Sequence, residues 1–129
     1  MTSPPLKACP SNSTNPDQPV KIKGYHAHVY FNTETKVTAA ELRELLEDNF
    51  GDSIQLGRWH ERPIGPHPHW SYQVAFMPEL IGEILPYLML NRSGLTILVH
   101  PETGNDLADH TEHAAWLGTS LPLNLKIFH

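Results

Sequence analysis

The chain has 129 residues, enough for one domain with a core of its own and too few for two ordinary ones. A formal net charge of -5 with no basic stripe argues against a nucleic-acid backbone as partner, and no apolar stretch is long enough to span a membrane. The single cysteine, Cys9, excludes an internal disulfide framework and any multi-cysteine zinc site, and reads as an incidental thiol.

Residues 1–20, "MTSPPLKACPSNSTNPDQPV", are rich in Pro, Ser, Asn and Thr without periodicity and read as a disordered leader. They lack the charged-then-apolar pattern of a secretory signal, so a cytoplasmic location is the default expectation. One domain should occupy 21–129. "GYHAHVYF" (24–31) alternates: Tyr25, Ala27, Val29 and Phe31 face one way, His26, His28 and Tyr30 the other, as in a strand with one buried face. "TAAELRELLEDNF" (38–50) predicts a helix. Thr38 and Glu41 have capping-box spacing, Leu42, Leu45, Leu46 and Phe50 form an apolar stripe, and Gly51 is a natural stop.

"SIQLGRW" (53–59) reads as a second strand and "HERPIGPHP" (60–68) as a proline-rich connection. "HWSYQVAF" (69–76) alternates again, with Trp70, Tyr72, Val74 and Phe76 opposite His69, Ser71, Gln73 and Ala75. "MPELIGEILPYLMLNR" (77–92) predicts a second helix, with Pro78 in its first turn and Pro86 forcing a kink or an early stop. "GLTILVH" (94–100) is a fourth strand. The remainder reads as irregular, with a candidate final strand in "LPLNLKIF".

This order predicts an α+β, ferredoxin-like sandwich: a four-stranded antiparallel sheet in the spatial order 4-1-3-2 with both helices on one face. Strand one is expected to run parallel to strand three and antiparallel to strand four. On that reading His26 and His28, His67 and His69, and His100 meet at one end of the open sheet face. Adjacent strands lie about 4.8 Å apart, so imidazoles from three of them can surround one ion. Nine histidines and almost no thiol suit iron(II), zinc or copper, and the pattern alone points to a metal or acid–base site. His60 and His129 read as surface residues. "DLADHTEH" is either a solvated loop or a lid carrying His110 and His113 over the site.

The stretches "YHAHVYF", "GPHPHWSYQVAF", "NRSGLTILVHPETG" and "DLADHTEHAAWLG" together resemble the DOPA 4,5-dioxygenase family of small extradiol ring-cleaving proteins, over about residues 22–125. The resemblance implies a ferredoxin-like fold, a homodimer, and a non-haem iron(II) site that cleaves L-DOPA or a related catechol with O2. Zinc or another divalent metal can replace the iron. It also implies His28, His67 and His100 as metal ligands, with His26 and His69 as alternates or acid–base groups and His110 as an orienting or proton-transfer residue. Tyr30, Ser71, Gln73 and His113 are expected around the substrate. Neutral imidazoles hold the metal and leave positions free for catechol and O2. No carboxylate occupies the three strand ends, so three histidines are expected, with Glu61, Glu102, Asp109 and Glu112 as substitutes. Two other readings compete. One is a non-enzymatic dimeric binding module with a histidine-lined pocket, because fold does not fix function. The other is a zinc hydrolase, because three histidines with an open position also activate water.

Overall fold

The computed structural model describes residues 20–128, so all but Val20 of the expected leader, Cys9 and His129 lie outside the described residues. The elements are β1 (Tyr25–Phe31), α1 (Lys36–Phe50), β2 (Ile54–Leu56), β3 (Trp70–Phe76), α2 (Ile81–Asn91), β4 (Ile97–Pro101), α3 (Asp106–Asp109) and β5 (Ala115–Leu117). They form an α+β fold around one sheet in the order β2-β3-β1-β4-β5, with every neighbouring pair antiparallel. The inner arrangement is the expected 4-1-3-2. The sheet has five strands rather than four, because Ala115–Leu117 pairs with the outer edge of β4.

The alternation seen in the sequence sets the layers. Ala27, Val29 and Phe31 from β1, Tyr72, Val74 and Phe76 from β3, and Ile97 and Val99 from β4 form one buried cluster. Ala39, Leu42 and Leu46 of α1 and Ile84 and Leu88 of α2 join that cluster, so both helices cover the same sheet face. The Tyr72 hydroxyl donates to the Ala39 carbonyl at 3.0 Å, which satisfies a polar atom at the centre of this layer.

Several local expectations are corrected. α1 begins at Lys36, not 38, and Thr38 caps nothing. Asn32 organises the entry instead, its Oδ1 accepting the backbone N–H groups of Glu34 and Thr35, both at 2.9 Å. Leu45 is exposed rather than part of the buried stripe. Gly51 ends the helix with φ 48°, a conformation that side chains resist. A 3-10 turn over Pro78–Leu80 leads into α2, which continues past Pro86 to Asn91. Pro86 is exposed, and the bond it forfeits is the one to the Gly82 carbonyl. The candidate strand in "LPLNLKIF" is a 3-10 segment over Leu125–Phe128.

The largest correction concerns direction. β1 and β3 are antiparallel, pairing His26 with Ala75 and Phe31 with Trp70. The start of β3 therefore lies at the end of β1 far from His26, and the strand-end argument for uniting His67 and His69 with His26 fails. Among the described residues, no helix is long and apolar enough to cross a membrane.

Candidate metal centre

The second sheet face carries His26, His28 and Tyr30 from β1, Ser71 and Gln73 from β3, and Leu98 and His100 from β4. It is not open. The 60–69 connection and the chain after β4 fold across it, leaving His28 5%, Tyr30 3% and His100 1% exposed. These covering segments are tied together, the Asn124 N–H donating to the Pro66 carbonyl at 2.8 Å. Beneath them is a cavity of about 440 Å³, a size suited to a small molecule.

Two histidines converge through the sheet register. β1 and β4 pair His26 with His100, which puts His28 diagonal to His100 on the same face. The Nε2 atoms of His28 and His100 stand 3.0 Å apart. Two nitrogens each 2.0–2.1 Å from a common ion in tetrahedral geometry are separated by about 3.3 Å, close to this spacing. Ligand nitrogens of His26, His28 and His100 all lie within 4.8 Å of one another. His67 joins by another route. Its connection doubles back over the face, and its ring centroid comes 4.1 Å from that of His28. His110, from the end of α3, stands 4.1 Å from the His100 ring.

Hydrogen bonds to the other ring nitrogen decide what each imidazole offers the cavity. His100 Nδ1 lies 3.0 Å from the Pro101 carbonyl oxygen and His110 Nδ1 2.7 Å from that of Asp106. A carbonyl only accepts, so both Nδ1 atoms carry the proton and both Nε2 atoms present a lone pair. His26 Nδ1 lies 3.1 Å from the Glu102 carboxylate, which fixes the same tautomer. His67 is different. Its Nδ1 is 2.6 Å from the Tyr30 hydroxyl. Burial pushes the Tyr30 phenol well up, so it keeps its proton, and among the described residues that proton has this one acceptor. Tyr30 therefore donates to Nδ1, and His67 presents an N–H from Nε2.

The charges agree with neutral imidazoles. Burial, and then the neighbouring His67 and His100, hold His28 well below the ordinary histidine range. Burial first and neighbouring histidines second bring His67 and His100 down to about 4. Burial lowers His26 as well, against the opposing pull of Glu102. Neutral nitrogen donors crowded together match what a divalent metal requires of its ligands.

The structure thus brings together His26, His28, His67, His100 and His110, with Ser71 and Gln73 in the cavity wall. It does not bring His69, which is exposed and lines a separate depression with Phe31 and Asn32. His113 also lies elsewhere, its Nδ1 2.9 Å from Asp109 Oδ1. Tyr30 meets His67 rather than lining the cavity. Of the substitute carboxylates, Glu61 pairs with Lys36 and Trp59, and Asp109 is wholly buried on Thr103 and His113. Sequence reasoning missed Arg58, His60, Ile127 and Phe128, all of which line the cavity. Phe128 packs on His110 at 4.7 Å between ring centroids. The proline-rich loop gave no register for His60, and a strand reading of "LPLNLKIF" hid the turn that aims Phe128 inward.

Comparison with known proteins agrees with this geometry. The chain is 40% identical over 112 residues to a DOPA 4,5-dioxygenase of Amanita muscaria, a match covering 81% of this chain. It spans about half of that relative's length (49%). It is 34% identical to an uncharacterized 21.2 kDa protein of Botryotinia fuckeliana, over 88% of this chain and 75% of the relative. The fold matches the crystal structure of a proposed dioxygenase from Nostoc punctiforme with a TM-score of 0.78 and 52% identity, covering 81% of this chain and 90% of that one. Residues 25–127 match the sequence pattern of the Dopa 4,5-dioxygenase family, and the chain belongs to that family.

Proposed function

We propose that this protein is a metal-dependent extradiol dioxygenase that opens the ring of L-DOPA or a related catechol with O2. The observation that carries the reading is the 3.0 Å approach of the His28 and His100 Nε2 atoms inside a buried imidazole cluster. Family membership and the ferredoxin-like order of the inner strands support it. Iron(II) is the metal this chemistry calls for. Bound there, it supplies a centre where both catechol oxygens and O2 can be held side by side.

His28 and His100 are the first two ligands. His26 is the third, because the Glu102 carboxylate leaves a lone pair on its Nε2. The motif resemblance favours His67 as third ligand, and the 4.1 Å contact with His28 keeps it in reach. The Tyr30 bond argues for a different task, since a neutral ring that points N–H into the cavity is a hydrogen-bond donor. His67 therefore holds a substrate or O2-derived oxygen atom through that N–H. His110, with its lone pair facing inward, takes a proton from the incoming catechol and returns it during ring opening. Apolar Ile64 and Phe128 in the cavity wall exclude water and pack on the ring. Homodimerisation belongs to the same reading, and sedimentation velocity tests it.

The experiment is anaerobic loading with iron(II), followed by L-DOPA and O2. Oxygen consumption with a ring-opened semialdehyde product is expected. No oxygen uptake with any of several catechols contradicts the reading. Uptake that is absent while an ester is hydrolysed with zinc points to the hydrolase instead. Metal content of two variants separates the third-ligand candidates: His26→Ala loses the metal, whereas His67→Ala keeps it and loses turnover.

A further inference from the structure

Among the described residues that line the cavity, Arg58 is the sole lysine or arginine. It makes no hydrogen bond or ion pair within the described residues. Its neighbours are already engaged: the Trp59 indole N–H and Lys36 both bond Glu61. The two carboxylates in the cavity wall, Glu102 and Asp106, follow β4 and belong to the opposite flank of the cluster from β2. They do not neutralise Arg58.

The backbone beneath Arg58 is fixed on both sides. The Gly57 N–H donates to the Gln73 carbonyl at 2.7 Å, and the Gly57 carbonyl accepts from Arg43 Nη2 at 2.8 Å. A side chain at position 57 would press within 3.2 Å of Gln73 Cβ, so glycine permits this close approach to β3. Two residues beyond Arg58, the backbones of His60 and Ser71 exchange hydrogen bonds at 3.0 and 3.1 Å. The backbone that carries Arg58 is thus held between two stitches to β3, while its side chain is exposed and extends from that fixed base.

We propose that Arg58 is a specificity-determining residue that binds a carboxylate on the substrate's side chain. The assignment rests on the catechol reading of the same site. The aromatic ring lies at the histidines, and the carboxylate turns toward the β2–β3 flank, away from Glu102 and Asp106. A guanidinium offers a planar pair of donors that suits a carboxylate. Catechols carrying an acid group are preferred over neutral ones of similar size.

The test is calorimetric titration of the full chain, loaded with zinc so that binding is read without turnover. The ligands are 3,4-dihydroxyphenylacetate and 4-methylcatechol. The wild type is expected to bind the acid more tightly. Arg58→Gln weakens the acid by about fivefold, the upper end for an ion pair at an exposed residue, while affinity for 4-methylcatechol is retained. Arg58→Lys recovers part of the loss. Equal affinities in the wild type, binding of neither ligand, or equal weakening of both in Arg58→Gln overturns the assignment. Oxygen uptake by the iron-loaded wild type with the same catechols tests the dioxygenase reading separately. Absent uptake with intact, Arg58-dependent selectivity removes the reaction and leaves the anchor standing.

Discussion

At the scale of single residues, the proposed chemistry turns on which ring nitrogen holds each proton. Tyr30 sets His67, and the Pro101 carbonyl sets His100. Removing the Tyr30 hydroxyl frees His67 to take either tautomer and leaves a buried nitrogen without its partner. Tyr30→Phe is expected to keep its metal, lose about 1 kcal/mol of stability and slow turnover by about tenfold to a hundredfold. Metal analysis with steady-state oxygen uptake checks this, and a Tyr30→Phe protein that turns over normally removes His67 from the chemistry. His100→Ala and His28→Ala each remove one of the three proposed ligands, so both are expected to purify with almost no metal. A variant of either that still binds one equivalent displaces the proposed centre.

Among the elements, the segment after β4 supplies the roof and is fixed by one carboxylate. Asp109 is fully buried and accepts from the Thr103 amide at 2.8 Å and the Thr103 hydroxyl at 2.6 Å, with His113 at 2.9 Å. Burial pushes its carboxyl up, but Thr103 and His113 outweigh that and hold it below the usual range. Asp109→Ala strands these groups, at a cost of about 1–3 kcal/mol, and releases the turn that aims His110. Hydrogen exchange is expected to rise over residues 103–113 while β1 and α1 stay protected; unchanged exchange in that segment contradicts the role. This roof was only partly legible in the sequence. The motif around His110 suggested a lid, but a three-residue strand such as β5 is too short for alternation to register. The inner strands were legible because alternation over seven residues, as in β1 and β3, separates an apolar face that packs on the helices from a polar face that the later loops cover. β3 runs antiparallel to β1 rather than parallel, so His69 lies away from the histidine cluster, where strand ends alone would put it. His67 reaches the cluster because its loop folds back, a tertiary event with no local signature.

For the whole molecule, crowding neutral imidazoles under a roof makes folding depend on pH. His67 and His100 titrate at about 4 in the folded chain against 6.5 unperturbed. Between those values the unfolded chain binds more protons, so stability is full above about 6.5 and is lost as pH falls toward 4. Metal-free protein is expected to lose several kcal/mol across that window, roughly 3 kcal/mol for each of the two groups. Urea midpoints measured in buffers from pH 7 to pH 4 check this, and a flat profile contradicts the burial of neutral histidines. Bound metal raises stability at neutral pH and steepens the acid loss, because protonation competes with ligation. The roofed sheet and the imidazole cluster are the features on which the proposed insertion of O2 into a catechol ring rests. Isotope labelling addresses that claim most directly: iron-loaded protein is given L-DOPA under heavy-oxygen gas and the product is weighed. A ring-opened product carrying both heavy oxygen atoms is expected. An unlabelled quinone, or no product, would contradict it.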